Sequence, residues 1–185
     1  MPPVLSLPTW AVVATNVAAW AAIHAGTGWY VHRLPVERLS GDGWLLRARR
    51  WEAEGRTYER VLHIKAWKDR VPEAGALFVG GVSKRQLPEG AGRGVERLAV
   101  ETRRAEVGHW LALAGGPVSW LWNPPAGFVL MVGYGIVANA PFIAIQRYNR
   151  QRAQRVLARR TVRSSGSRAD VTDARPRRTR GSSIP

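Results

Sequence analysis

The chain has 185 residues and a formal net charge of +15, with 28 Lys or Arg against 13 Asp or Glu. It contains no cysteine, which excludes disulfides, thiolate nucleophiles and cysteine-ligated zinc. Its four histidines lack the spacing of convergent metal ligands, so the sequence predicts neither a metal nor a cofactor. The charge is unevenly distributed, because residues 1–31 and 107–146 carry none whereas residues 147–185 carry 12 Arg and 2 Asp.

The first uncharged segment, residues 1–31, predicts a transmembrane anchor. Its apolar part, residues 4–30, exceeds the roughly 20 residues of helix that cross a hydrocarbon core. No Lys or Arg precedes it, which favours an uncleaved anchor over a removed signal peptide. Trp29 and Tyr30 lie where an interfacial aromatic belt is expected, just before Arg33.

Residues 32–108 are predicted to form a cytoplasmic or interfacial segment. Between Trp44 and Trp67, aromatic and basic residues recur at intervals of three and four, which is typical of an amphipathic helix. Such a helix would lie on the membrane surface with its arginines toward anionic headgroups. A small globular cap that packs the aromatic side chains inward explains the same pattern. The Gly- and Pro-rich residues 72–94 predict a loop.

The second uncharged segment, residues 109–146, is predicted to form a membrane hairpin. The string Asn123-Pro124-Pro125 marks its turn, because proline lacks an amide donor and biases the preceding residue away from helix. The first arm, residues 111–122, is short for a full span, so the hairpin either crosses the bilayer or is re-entrant. A hairpin places both Arg-rich flanks on the cytoplasmic side and the N-terminus outside, as the positive-inside rule prefers.

The most basic part of the chain follows the hairpin. Residues 147–160 are predicted to form a basic juxtamembrane helix. Residues 161–185 contain almost no large apolar side chain and predict a disordered tail that contacts anionic lipid. Positive charge alone is also a property of nucleic-acid-binding tails. In a chain with two apolar segments of this length, however, the tail is interpreted as a topology signal, and no nucleic-acid partner is predicted.

The helix predicted over residues 98–111 carries the side chains with catalytic chemistry. Thr102, Glu106 and His109 share one helical face. A carboxylate three residues before a histidine fixes the imidazole tautomer and leaves the other nitrogen as a general base. We therefore predict that His109 deprotonates a hydroxyl in an acyl transfer, with Glu106 as its orienting carboxylate. The competing interpretation is a purely structural pair where the helix enters the membrane.

A second polar cluster begins at the end of the hairpin, in the run Gln146-Arg147-Tyr148-Asn149-Arg150. Just before it, Asn139 and Pro141 predict an interruption of the second arm that frees backbone carbonyls. Because both arms return to one face of the membrane, this cluster is expected near the catalytic histidine. Arg147 and Arg150 are predicted to hold a phosphate or carboxylate, and Asn139 or Asn149 to donate to an oxyanion.

These two strings together resemble the glycosyl-diaponeurosporenoate acyltransferase family of bacterial carotenoid biosynthesis. The family pattern is close to E-T-x-R-A-E-x-x-H-W, followed by N-x-P and Q-R-Y-N-R-P-R-L. The resemblance covers roughly residues 44–157, and Gln151 stands where the family has proline, which predicts that the last helix continues into the cytoplasm. The matching residues are Glu101, Thr102, Arg104, Ala105, Glu106, His109, Trp110, Asn139, Pro141, Gln146, Arg147, Tyr148, Asn149 and Arg150, with Trp67 and Lys68 upstream.

The resemblance implies transfer of a fatty acyl group to a sugar hydroxyl of a glycosylated carotenoid acid. The implied partners are a fatty acyl donor, as a CoA thioester, an acyl carrier protein or a lipid, and a glycosylated carotenoid or other glycolipid acceptor. The predicted substrate-binding residues are Glu101, Arg104, Asn139, Gln146, Arg147, Tyr148, Asn149, Arg150, Trp67 and Lys68. The sequence thus predicts an all-helical integral acyltransferase of the cell membrane. The competing hypothesis is a non-enzymatic membrane scaffold or assembly protein.

Overall fold

In the computed structural model, the described residues are 3–39, 41, 43–71 and 93–173, and all of their regular secondary structure is helical. The predicted all-helical class is therefore confirmed for this part of the chain. Among the same residues, 3-10 helices cover Arg50–Gly55, Lys68–Arg70 and Gly116–Leu121. The α-helices are α1 (Thr9–His32), α2 (Val36–Leu39), α3 (Arg56–Val61), α4 (Ile64–Trp67), α5 (Arg93–Gly115) and α6 (Pro125–Asp173).

Helices α5 and α6 form an antiparallel hairpin with the most extensive helix-to-helix contact of the described residues. The 3-10 helix Gly116–Leu121 and the residues that follow it make the turn, and α6 begins at Pro125. Proline suits the first position of a helix, because the amide that it lacks has no intrahelical acceptor there. The turn predicted at Asn123-Pro124-Pro125 is therefore present.

Helix α1 packs antiparallel to α5, and hydrogen bonds hold it near the hairpin turn and at its C-terminal end. Near the hairpin turn, the Asn16 and Asn123 side chains exchange two hydrogen bonds, at 3.0 and 2.8 Å. At the opposite end, the Arg104 guanidinium donates to the backbone carbonyl oxygens of Val31, His32 and Leu34. The last carbonyls of a helix have no intrahelical partner and carry partial negative charge, so an arginine is a suitable cap.

A tryptophan of α1 lies against the hairpin where the helices approach closely. The Trp20 side chain is buried and packs over Gly116 and Gly135. A Cβ atom added at Gly135 would lie 2.6 Å from the Trp20 ring, so only glycine leaves room for it. This contact sets the distance between α1 and the second arm of the hairpin.

Helix α6 is continuous over 49 residues, which corresponds to about 74 Å at the usual rise per residue. The predicted interruption at Asn139 and Pro141 is wrong, because the helix continues through both. A proline removes one backbone hydrogen bond, and membrane helices tolerate that loss when neighbouring groups compensate. The predicted continuation past Gln151 is confirmed, since glutamine keeps the amide donor that proline lacks.

The length of α6 also bears on the disorder predicted for the basic tail. Residues 161–173, predicted to be disordered, form the last turns of α6. This stretch contains Gly166 and several Ser and Thr residues, but no proline occurs in α6 after Pro141, so every residue of it keeps its backbone amide donor. Residues 174–185 lie outside the described residues.

Residues 43–71 form a cap of short helices beside α6 instead of one amphipathic helix. Ala53, Glu54, Gly55 and His63 have positive φ angles of 46°, 58°, 91° and 47°, which break the helical path twice. The prediction of a single interfacial helix is therefore wrong. The competing cap is closer to the structure, although two aromatic side chains that it placed inside, Trp44 and Trp51, are exposed.

The inner face of this cap packs against α6. Tyr58 and Ile64 form a buried apolar cluster with Ile145 and Tyr148, and Trp67 packs at its edge. The loop predicted over residues 72–94 lies outside the described residues, apart from residues 93 and 94, which begin α5.

One described segment, Pro125–Arg159 of α6, is long and apolar enough to cross a membrane, with a mean hydropathy of 2.0 over its most apolar 18 residues. Only 22% of that window is buried inside the protein. Helix α1 lacks charged side chains but is rich in Ala, Thr and Gly, and it does not meet the same criterion. Its role as an anchor, and the orientation of the chain, stay predictions.

Candidate functional site

The centre of the molecule is a buried carboxylate on α5 that two arginines of α6 bind. Glu106 is completely buried. Arg147 Nε lies 2.7 Å from its Oε1 atom, and Arg150 Nη1 donates to its Oε2 atom. The indole Nε1 of Trp110 also donates to Oε1, at 3.3 Å. Both carboxylate oxygens therefore accept charge-assisted hydrogen bonds, which are about twice as strong as neutral ones.

The two arginines extend this network into the cap. Arg147 Nη1 lies 2.8 Å from Glu52 Oε1, and its Nη2 donates to the carbonyl oxygen of Leu45 at 2.5 Å. Arg150 Nη2 donates to the carbonyl oxygen of Leu46 at 2.5 Å. The guanidinium groups of Arg147 and Arg150 thus hold the cap, α5 and α6 together, with Glu52 and Glu106 as counter-ions.

Glu52 stays ionised inside this network. Burial raises the pKa of its carboxyl, but hydrogen bonds from the Tyr58 hydroxyl, the Arg49 backbone amide and the Arg147 guanidinium outweigh burial, and the pKa lies below its ordinary value. Burial and the neighbouring Glu52 carboxylate raise the pKa of Tyr58, so its hydroxyl stays a neutral donor. Two carboxylates therefore balance two guanidinium groups, as a buried cluster of charges requires.

His109 lies on α5 next to this network and contacts α6 at a different level. Its Nδ1 atom is 3.1 Å from Asn139 Oδ1, and its ring stacks on Phe142 with centroids 4.7 Å apart and planes at 15°. Asn139 Nδ2 donates to the carbonyl oxygen of Gly135 at 2.9 Å, which fixes the orientation of the amide. Because Oδ1 only accepts, this contact favours the tautomer of a neutral imidazole that carries its proton on Nδ1.

The partner of His109 Nδ1 thus differs from the one that the sequence suggested. We predicted the carboxylate of Glu106, but both of its oxygens bind arginines, and the amide oxygen of Asn139 takes the orienting position. Spacing along α5 shows which side chains share a face, whereas the side chains of α6 decide what each of them meets. Arg147 and Arg150 lie opposite Glu106, and the opposite charges pair.

Arg147 and Arg150 were predicted to bind an anionic group of a substrate. In the structure each guanidinium binds a carboxylate of the protein itself, and all three nitrogens of Arg147 have acceptors. Arg104, predicted for the same task, caps α1 and lies 3.4 Å from Glu101. The substrate roles of these residues stay predictions, and the structure shows each of them in an internal contact.

The other predicted residues lie on α6 and in the cap. Tyr148 is fully buried, and its hydroxyl donates to Glu59 Oε1 at 3.0 Å. Trp67 Nε1 donates to the carbonyl oxygen of Leu62 at 2.8 Å, and Lys68 pairs with the neighbouring aspartate. Gln146 is buried and Asn149 is half-buried.

Sequence reasoning missed Glu52, the second counter-ion of Arg147. Glu52 lies 95 residues before Arg147 in an arginine-rich stretch, and nothing in its local pattern distinguishes it from an exposed glutamate. It also missed Asn139 as the partner of His109 Nδ1, although it did single out Asn139 as a polar residue in an apolar helix. No group of three His, Asp or Glu within the described residues is arranged to hold a metal ion.

Comparison with known proteins places this site in a family. The sequence model of the family described as glycosyl-4,4'-diaponeurosporenoate acyltransferase matches residues 42–159, which include the buried network, His109 and Asn139. Proteins named glycosyl-4,4'-diaponeurosporenoate acyltransferase from Staphylococcus aureus strains bovine RF122 / ET3-1, N315 and Newman are each 26% identical over 163 residues, which is 87% of this chain and 90% of theirs. No solved structure matches the chain. Since the family model covers more than half of its length, the chain belongs to the glycosyl-4,4'-diaponeurosporenoate acyltransferase family.

Proposed function

We propose that this protein esterifies a sugar hydroxyl of a glycosylated carotenoid acid with a fatty acyl group, and that His109 is the general base. The observation that carries the proposal is the contact of Asn139 Oδ1 with His109 Nδ1. It supports the assignment of Nε2, the ring nitrogen that does not face Asn139, as the nitrogen that accepts a proton. The family and its named relatives supply the reaction class and the type of acceptor.

We assign a single transfer without an acyl-enzyme, since the chain has no cysteine to serve as a thiolate nucleophile. His109 Nε2 takes the proton of the acceptor hydroxyl as its oxygen attacks the carbonyl carbon of the acyl donor. The new C–O bond forms, the bond to the leaving group breaks, and the imidazolium returns its proton to that group. The products are the ester and the protonated carrier.

Glu106 acts in this account as a positioning residue. Its two oxygens bind side chains of the protein itself, and its pairs with Arg147 and Arg150 fix α5 against α6. His109 and Asn139 lie on these same two helices, so the network sets the geometry of the base. A displacement of about 1 Å at such a site is enough to cost about 100-fold in rate.

A membrane location suits both substrates, because an acyl chain and a polyene partition into lipid. Exposed apolar side chains on α6, among them Val129, Leu130 and Val137, support a lipid-facing surface over the segment that is able to span. We propose that α1 is a second, N-terminal anchor with its start outside, and that the network and the basic end of α6 face the cytoplasm, as the positive-inside rule prefers.

The test is mass spectrometry of lipid extracts from cells that make a glycosylated carotenoid acid. Cells with the wild-type protein should accumulate an acyl-sized mass increase on the glycoside, and His109→Gln should abolish it at equal membrane abundance. His24→Gln is the matched control, because it makes the same chemical change at an exposed position of α1. Full product formation by His109→Gln would refute the base, and no product with the wild-type protein would refute the acceptor.

A scaffold or assembly role is the second candidate, and one observation favours it. The arginines of the network bind carboxylates of the protein itself, as purely structural residues do. A scaffold has no need for a base at His109, so it would function unchanged with His109→Gln. The same comparison of variants therefore separates the two candidates.

A further inference from the structure

A basic cleft lies between the cap and residues 148–159 of α6, which follow the buried network along the helix. Its volume is about 510 Å³, within the range of small-molecule binding sites. Five cationic side chains line it, and two carboxylates, Glu59 and Asp69, accompany them. The cations are Lys65 and Lys68 from the cap and Arg152, Arg155 and Arg159 from α6.

Within the described residues, the cleft has an excess of positive charge over the carboxylates that line it. Lys65 lies 2.7 Å from Glu59, which also accepts from the Tyr148 hydroxyl, and Lys68 lies 2.5 Å from Asp69. With both lysines paired, the remaining positive charge of the cleft belongs to its three arginines. Arg155 is 3.9 Å from the already engaged Glu59, and no carboxylate among the described residues forms an ion pair with Arg152 or Arg159.

The three arginines form an array on one side of α6. Residues 152, 155 and 159 are separated by three and four positions, so they project from the same helical face into the cleft. Guanidinium groups bind phosphate oxygens in a bidentate manner, and an array of them suits a ligand with several phosphates. An isolated basic helix on a membrane surface would leave these arginines exposed. Here the cap forms the opposite wall of the cleft.

We propose that this cleft binds the phosphate groups of a coenzyme A thioester, which is the acyl donor of the reaction. This inference rests on the proposed acyl transfer. It also answers where the donor binds, because Arg104, Arg147 and Arg150 are occupied by internal contacts. On transfer the C–S bond of the thioester breaks, and the thiolate takes the proton that His109 received from the hydroxyl.

The distance along α6 favours a CoA thioester over a phospholipid donor. Asn139, which orients the base, and Arg152 are 13 positions apart, or about 20 Å of helix. In CoA the long pantetheine arm separates the phosphates from the thioester, so one ligand reaches both places. In a phospholipid only the glycerol separates the phosphate from the acyl ester, which is too short for that span.

The experiment measures binding of unacylated coenzyme A to the full-length protein in nanodiscs of zwitterionic lipid. The variant Arg152→Gln/Arg159→Gln should bind CoA at least about 10-fold more weakly, because each charge-assisted hydrogen bond to phosphate is worth a factor of that order. The control is Arg47→Gln/Arg60→Gln, which removes the same charge from exposed positions that do not line the cleft. It should bind as the wild-type protein does.

A second probe, 3'-dephospho-CoA, tests whether the phosphates are what the cleft recognises. The wild-type protein should prefer CoA to 3'-dephospho-CoA, and the double variant should lose most of that preference. Equal CoA affinity of the two double variants would overturn the proposal. The proposal would also be overturned if anionic lipid in the nanodisc displaced CoA while acyl transfer stayed unchanged. In that case the cleft would be a site for lipid headgroups.

The two proposals fail separately. His109→Gln should bind CoA normally while it transfers no acyl group, since the cleft does not include the base. Acyl transfer that proceeds with an acyl carrier protein and not with acyl-CoA would overturn the cleft assignment and leave the acyltransferase function in place. CoA binding without transfer by the wild-type protein would support the cleft and refute the proposed acceptor.

Discussion

Replacement of Glu106 by glutamine perturbs the buried network at its centre. Glutamine has nearly the same shape, but it carries no charge and its amide nitrogen faces arginine donors. The glutamine oxygen can accept from only one of the two arginines. If its nitrogen faces Arg150, that residue, which is 1% exposed, would keep only the carbonyl oxygen of Leu46, while Arg147 would keep Glu52 and the carbonyl oxygen of Leu45. Removal of one partner from a buried ion pair costs about 3–5 kcal/mol, because the remaining charge is left uncompensated. We expect the free energy of unfolding to fall by about that amount.

The assay is chemical denaturation of the purified protein in detergent micelles, with unfolding monitored by the near-UV circular dichroism of its tryptophans. Glu54→Gln is the matched control, since Glu54 is exposed and its pair with Arg56 is 4.0 Å long. An exposed pair contributes about 0–1 kcal/mol, so the control should unfold almost as the wild-type protein does. Glu106→Gln with unchanged stability and no acyl transfer would refute the positioning role and make Glu106 a member of the chemical site.

Three further predictions concern the contacts around the network. Gly135→Ala should destabilise the protein by about 1–3 kcal/mol, because the added methyl group would lie 2.6 Å from the Trp20 ring. Gly133→Ala is the control, since a Cβ atom there has nothing within 4 Å, and thermal unfolding compares the two variants. Asn139→Ala should leave folding largely intact but reduce kcat about 100-fold, through loss of the fixed imidazole tautomer, and an unchanged kcat would contradict that role. The pKa of Glu52 is lowered in the folded protein, so its stabilising contribution is present above the unfolded-state pKa and is lost as the pH falls through the folded pKa. Stability measured from pH 6 to about pH 3 should therefore fall in acid, and Glu52→Gln should reduce that dependence.

The sequence predicted features that depend on the local chemistry of the backbone. The tandem prolines after Asn123 end one helical path and begin α6, as predicted. Gln151 in place of a proline leaves the amide donor, and α6 continues. In both places one or two residues decide the conformation, so no distant contact is needed to foresee it.

Features that depend on long-range contacts were not predictable in the same way. The pair of Arg147 with Glu52 joins residues 95 positions apart, and the partner of His109 Nδ1 comes from another helix, 30 positions later. Periodicity placed Glu106 and His109 on one face, but it carried no information on what α6 sets opposite each of them. In the cap, positive φ angles such as that of Ala53 overrode a spacing that resembled a helix.

The central claim is that His109, oriented by Asn139, is the base of an acyl transfer. The most direct test is the initial rate of ester formation by the purified protein in nanodiscs, with acyl-CoA and a glycosylated carotenoid acid as substrates. The account predicts that His109→Gln lowers kcat by about 10²–10⁴-fold with an unchanged affinity for CoA. A variant that retains the wild-type kcat would contradict it.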